Sequence, residues 1–254
     1  MRLSGARVLI TGASSGIGAA TARAMAARRA QLVLSGRDER RLRAVAGETG
    51  GRAVPADVTT DAAGLAERAG SVDVLVSNAG EGWAGPLTAM PDDAVGRLIA
   101  VNLTAPITLA KLLLPAMMER GRGHVVFVAS IAGAVGVPGE AVYSATKAGL
   151  VVFAESLRQE VAGPVPGIGV SVVLPGVVDT PFFARRGAPY ALRWPAPIPP
   201  ERVARVITRT VERDRAEAFV PGWLRLPARL RGVAPAPFRV LAALSGRASR
   251  GATP

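Results

Sequence analysis

The segment Thr11-Gly12-Ala13-Ser14-Ser15-Gly16-Ile17-Gly18 decides how the rest of this chain is read. It follows the apolar run Arg7-Val8-Leu9-Ile10, which has strand length and strand composition, and it leads into the alanine-rich stretch from Gly16 to Arg28, which has helical period. A strand, a glycine turn and a helix in that order collect free backbone N–H groups and the positive end of a helix dipole at one point. Small residues there let the backbone approach an anion closely, and a pyrophosphate suits the arrangement. The turn is therefore expected to bind a dinucleotide, although its Gly-x-x-x-Gly-x-Gly spacing differs from the common Gly-x-Gly-x-x-Gly fingerprint.

Outward from this turn the same rhythm continues. Gln31 to Ser35, Val72 to Asn78, His124 to Ala129 and Gly169 to Leu174 are apolar runs of strand length, and a last strand is expected near Phe219-Val220. Helices are expected from Asp38 to Glu48, from about Asp92 to Glu119 and from Tyr143 to Val161. Near-continuous apolar strands alternating with helices imply a parallel sheet covered on both faces. At 254 residues, 49% of them hydrophobic, the chain suits one domain over 1–254, with Pro189 to Pro200 read as a loop and a basic, proline-containing extension at about 221–254.

Composition excludes several chemistries. No cysteine and a single histidine leave no disulfide, no thiolate nucleophile and no metal site to expect. His124, at a strand start, is read as structural. The start Met1-Arg2-Leu3-Ser4-Gly5-Ala6-Arg7 does not resemble a signal peptide, and the apolar stretch from Leu98 to Met118 is interrupted by Asn102, Pro106, Lys111 and Pro115, so a cytoplasmic location is expected. The net charge of +12 is uneven: residues 182–254 hold 14 Arg against 4 acids, with no acid after Glu217. Arginine so outnumbers lysine that a general bias in coding explains much of it, and without a recognised module or stacking aromatics no nucleic-acid partner is expected.

The glycine turn preceded by Thr11 resembles that of the classical short-chain dehydrogenase/reductase family, and further segments match in order over roughly residues 3–182. Asp57-Val58 is similar to the family's adenine-contacting pair. Ser77-Asn78-Ala79-Gly80 resembles its Asn-Asn-Ala-Gly segment, with Ser in the first place. Asn102 and Ser130 stand where the family has catalytic residues, Tyr143 and Lys147 form Tyr-x-x-x-Lys, and Pro175-Gly176, Val178 and Thr180 resemble its nicotinamide-side loop. The resemblance implies a Rossmann-like, doubly wound α/β fold with a mostly parallel seven-stranded sheet and helices on both faces. It also implies a homodimer or homotetramer paired through the two long helices.

The expected chemistry is hydride transfer between a nicotinamide and a carbonyl or secondary alcohol of a small molecule. Four residues make about one helical turn, so Tyr143 and Lys147 share a face. A neighbouring ammonium and a positive nicotinamide ring favour the phenolate, and Tyr143 is expected to be the general acid or base. By resemblance Ser130 orients the substrate oxygen, Lys147 also holds the ribose, and Asn102 supports a proton relay. Expected cofactor contacts are Gly12, Ser14, Ser15, Gly16, Ile17, Gly18, Arg37, Asp57, Val58, Asn78, Ala79, Gly80, Tyr143, Lys147, Pro175, Gly176, Val178 and Thr180. After the second strand stands Gly36 where an NAD-type site carries an acid, and Arg37, with Arg41 one turn on, can face a 2′-phosphate. NADP(H) is therefore expected ahead of NAD(H). Phe182, Phe183, Ile131, Val135 and Val137 suggest an apolar substrate. Trp83 is either a wall of the substrate cleft or a packed loop anchor.

Two alternatives stay open on sequence. The chain can be a nucleotide-binding regulator or scaffold without turnover, although such a protein does not need a tyrosine proton donor. The tail alternates apolar and cationic residues from Val220, which suits either surface helices packed on the core or peripheral contact with an anionic membrane; prolines 227, 235 and 237 interrupt any long helix, and the packed version is preferred.

Overall fold

In the computed structural model, which describes residues 1–163, 167–188, 190, 195–238 and 240, Val8 and Ile10 enter one core and Leu9 the other, all three fully buried. They belong to β1 (Arg7–Thr11), and the period-two alternation of a strand covered on both faces explains why its run is apolar throughout. The chain continues through α1 (Gly16–Ala26), β2 (Gln31–Gly36), α2 (Glu39–Thr49), β3 (Arg52–Pro55), α3 (Ala62–Ala69), β4 (Val74–Ser77) and α4 (Asp92–Ile99). A five-residue π turn (Ala100–Thr104) joins α4 to α5 (Ala105–Glu119). Then come β5 (Gly123–Val128), α6 (Ile131–Val135), α7 (Ala141–Ala162), β6 (Ile168–Pro175), α8 (Phe182–Arg185), α9 (Pro200–Arg213), β7 (Glu217–Val220) and α10 (Arg225–Val233).

The seven strands form one sheet in the order β3-β2-β1-β4-β5-β6-β7, and every pairing is parallel, a stricter arrangement than the mostly parallel sheet expected. One core packs α3, α5 and α7 against Leu9, Leu75, Val125 and Phe127. The other packs α1, α2 and α9 against Val8, Ile10, Val126 and Val173. Strand order reverses between β1 and β4, so their carboxyl ends open a crevice where the glycine turn sits.

Two elements depart from the sequence expectation. β3 is an edge strand in which only Val54 is buried, too weak an apolar signal to stand out. Pro199 and Pro200 do not belong to a loop alone: Pro200 occupies the first turn of α9, where a missing N–H costs nothing. The remainder of the loop expected at 189–200 lies partly outside the described residues, as do 239 and 241–254 of the basic extension.

At the end of the sheet away from that crevice, His124 is buried, with Nε2 2.7 Å from Ser171 Oγ and Nδ1 3.9 Å from Asp214 Oδ1. Ser171 donates to the Arg215 carbonyl at 2.7 Å, and Arg158 holds Asp214 at 2.9 Å. Burial pushes the His124 pKa down to about 4, so the ring is neutral and ties β5 and β6 to the turn before β7. This agrees with its reading as structural.

Candidate active site

Gly12 adopts φ +65°, and a Cβ there would stand 2.9 Å from Ala79 Cα. The left-handed turn and the close approach of two main chains both require glycine. Thr11 fixes the facing loop: its hydroxyl accepts from the N–H groups of Asn78 and Ala79 at 3.0 Å, while Asn78 Nδ2 donates to the Thr11 carbonyl at 3.0 Å. Ser15, the N-cap of α1, makes no side-chain capping bond, and no acid lies in the first turn, so this helix start suits an anion.

One cavity of about 1020 Å³ runs from the glycine turn past the ends of β4, β5 and β6 to α8, large enough for a dinucleotide together with a substrate. It is lined by Gly12, Ser14, Ser15, Gly16, Ile17, Arg37, Asp57, Val58, Asn78, Ala79, Gly80, Ser130, Tyr143, Lys147, Pro175, Gly176, Val178 and Thr180. Two expected site residues stand behind the wall. Gly18 faces α1's own turn, where a Cβ would meet the Gly12 carbonyl oxygen at 2.2 Å; its role is close packing beneath the turn. Asn102, fully buried in the π turn, donates through Nδ2 to the Glu81 carbonyl at 2.8 Å and accepts the Glu81 N–H at 3.0 Å. It reaches the site through Gly80, whose Cβ, if present, would stand 3.0 Å from Asn102 Oδ1 and 3.4 Å from Lys147 Nζ.

Tyr143 and Lys147, on the first two turns of α7, are 8% and 4% exposed. Lys147 Nζ donates to the Val128 carbonyl at the end of β5, 3.1 Å away, and lies 5.8 Å from the Tyr143 ring centroid. Ser130 caps α6, accepting the Ala132 N–H at 3.1 Å. The expected lowering of the Tyr143 pKa is reversed in the protein itself. Burial raises it above the ordinary phenol value, the Ser130 hydrogen bond opposes that rise, and the nearby Glu140 carboxylate adds to it. Burial also pushes Lys147 down to about 8. At neutral pH the pair is a neutral phenol beside an ammonium, the form that gives up a proton.

The end of the cavity beside α8 is rich in aromatic side chains. The Phe182 ring of α8 lies 5.6 Å from that of Tyr143, tilted by 50°, and meets Phe183 edge to face at 5.6 Å, and Phe183 lies 5.5 Å from Tyr190. Phe182, Phe183, Trp83, Ile131 and Val137 all line the cavity, so Trp83 is part of its wall; Val135 is not among the lining residues.

Several lining residues carry no sequence signal of their own. Glu140 and Arg186 form a buried ion pair beside Tyr143, with the Arg186 guanidinium 4.5 Å over the Phe183 ring. Arg185 of α8 points its Nη2 at Ser15 Oγ, 3.4 Å away. Glu81 binds Arg37 at 2.6 Å and Arg97 at 3.3 Å. An acid directly after Ala79-Gly80 was the available clue. Arg41, the suggested second cation, pairs with Asp38 at 3.3 Å and is not among the lining residues.

An all-parallel doubly wound sheet with an anion-binding turn, a buried Tyr–Lys pair and one long cavity defines a nucleotide-dependent oxidoreductase. The chain belongs to the short-chain dehydrogenase family, whose model, described as short chain dehydrogenase, matches residues 6–191. It is 36% identical over 234 residues to the ketoacyl reductase HetN of Nostoc sp., covering 86% of this chain and 79% of that one. Among solved structures, a short-chain dehydrogenase from Sphingobium yanoikuyae in complex with NADPH superposes with a TM-score of 0.80 at 30% identity, covering 93% of this chain and 95% of that one. A family member from Burkholderia phymatum in complex with NAD superposes with a TM-score of 0.82 at 25% identity, covering 91% and 94%.

Proposed function

We propose that this protein is an NADP(H)-preferring reductase of a ketone or related carbonyl on an apolar substrate, with Tyr143 as the proton donor. The observation that carries the reading is Tyr143 itself: a neutral, buried phenol beside Ser130 and Lys147, in the same cavity as the glycine turn. A nicotinamide, when bound, supplies the hydride. The remaining work falls to side chains. Ser130 orients the carbonyl oxygen and Tyr143 gives it a proton. Lys147 stabilises the negative charge that develops on the phenol oxygen and holds the ribose. Asn102 fixes the Gly80-Glu81 main chain over Lys147.

Backbone N–H groups from Ser14 to Ile17 suit the pyrophosphate, while Asp57, Val58, Asn78 and Ala79 suit the adenosine half. Pro175, Gly176, Val178 and Thr180 suit the nicotinamide end. Arg37, with Gly36 rather than an acid before it, favours a 2′-phosphate, and the Sphingobium relative holds NADPH. The ketoacyl reductase among the relatives favours an acyl or polyketide-like chain in the aromatic end of the cavity. Two copies are expected to pair through α5 and α7, whose Leu112 and Val152 are exposed.

Tyr143→Phe tests the assignment. Turnover in a ketone screen should fall by about 10²- to 10⁴-fold while NADPH binding, followed by nicotinamide fluorescence, stays unchanged. A nucleotide-binding regulator would show no turnover to lose. Wild-type protein should bind NADPH at least about tenfold more tightly than NADH, about 1.4 kcal/mol; equal binding would remove the NADP assignment and leave the enzyme class standing.

A further inference from the structure

A short helix on the surface of a globular domain normally turns its apolar stripe toward the core. α10 does the reverse. Leu226, Leu230 and Val233 fall within one narrow arc of the helix and are 69%, 40% and 88% exposed, and none of the helix's residues is fully buried. The side turned to the fold carries Pro227 and Ala228, both half-buried, and Arg231, which donates to the Ala134 carbonyl of α6 at 2.6 Å. Arg225 and Arg229 lie along one edge of the outward stripe. The acid beside them, Glu217, lies 3.9 Å from Arg225, and burial raises its pKa.

We propose that α10 is an interfacial helix that seats this protein on an anionic lipid surface. Charge complementarity selects that occupant: residues 182–254 carry 14 Arg against 4 acids, and no acid follows Glu217. An exposed leucine–valine stripe edged by arginines is the pattern of a helix lying in the headgroup plane, with apolar side chains below it and guanidinium groups at the phosphates. The position is useful as well. α10 packs on α6, and Ile131 and Ala132 of α6 line the apolar end of the cavity, so a lipid-seated helix brings that end toward a source of apolar substrate.

Co-sedimentation of the full chain with vesicles tests this. Vesicles of equal parts phosphatidylglycerol and phosphatidylcholine should retain the protein, and phosphatidylcholine alone should not. Retention should fall steeply as salt is raised to about 1 M, where charges beyond a few ångströms are screened. Leu226→Ser with Val233→Ser should reduce partitioning by about tenfold or more, and Arg229→Glu should reduce it several-fold. Cofactor binding by each variant reports that the fold is intact. Failure of the wild type to bind anionic vesicles overturns the proposal, as does binding that the substitutions leave unchanged. Conversion of an oligomer to a smaller species by the Leu226/Val233 variant, without an effect on vesicles, assigns the stripe to a second copy and overturns it equally.

Discussion

Arg37 Nη2 lies 2.6 Å from Glu81 Oε1, so the cation expected to greet a 2′-phosphate is held by a carboxylate of the protein. Asp57 Oδ2 is 3.9 Å from the same guanidinium, and Arg97 holds the other Glu81 oxygen at 3.3 Å. A phosphate must compete with Glu81 for Arg37. Glu81→Gln should therefore tighten NADPH binding by about 2- to 5-fold, the range of a solvent-exposed ion pair, and leave NADH binding nearly unchanged. Fluorescence titration of both nucleotides checks it. Parallel changes for the two would place Glu81 outside the recognition of the 2′-phosphate.

The alkaline limb of the activity profile should belong to Lys147. Its folded pKa is pushed down to about 8, while that of Tyr143 is raised, so the ammonium is lost first as pH rises. Reduction should proceed below about pH 8 and decline above it. Lys147→Arg carries a charge that does not titrate in this range. Whatever activity this variant keeps should show no decline near pH 8, and an unchanged limb would assign the titration elsewhere.

His124 makes a prediction for stability. Its folded pKa of about 4 lies below the ordinary 6.5, so between those values the unfolded chain binds a proton that the folded chain refuses. Its contribution is complete above about pH 6.5 and is lost as pH falls toward 4. From pH 7 to 4.5 this amounts to roughly 2–3 kcal/mol. Urea denaturation at both pH values should show a smaller acid loss for His124→Gln than for the wild type.

Two glycine substitutions should move stability in opposite directions. An alanine Cβ at Gly18 would stand 2.2 Å from the Gly12 carbonyl oxygen, and Gly18→Ala should cost about 1–3 kcal/mol and weaken nucleotide binding. Gly47, inside α2, has open space around its Cβ direction, so Gly47→Ala should stabilise by about 0.5–1 kcal/mol. Thermal melts of the two variants check the sign.

Where the sequence speaks, it does so through spacing within one element. Tyr143 and Lys147 share a helix, and the glycine turn is continuous, so both are legible without a structure. The strands buried on both faces are legible for the same reason, as uninterrupted apolar runs. β3 is not, because an edge strand needs to bury only Val54. α9 is charged along its outer face and begins at a proline that ends a proline-rich stretch, which hides a helix start inside an apparent loop. Glu81, Glu140, Arg185 and Arg186 are ordinary charged residues in the sequence. The site gathers them from loops and short helices whose mutual placement depends on the whole sheet. The direction of the Tyr143 shift was hidden too, since burial, which outweighs the opposing Ser130 hydrogen bond, arises only once α7 is docked.

The π turn at Ala100–Thr104 gives the long helix a property its composition does not express. A regular helix advances about 100° per residue, and the wide turn accommodates one extra residue between α4 and α5. Ala94 and Leu98 point into the wall behind Tyr143 while Leu109, Leu113 and Met117 point into the main core. Removing a single residue from this stretch would rewind it into ordinary helix with nearly the same phase on either side, so the loss would fall on the turn itself and on Asn102 within it. The extra residue serves to place Asn102 against the Glu81 main chain, and a deletion there should break those two hydrogen bonds while leaving both cores packed.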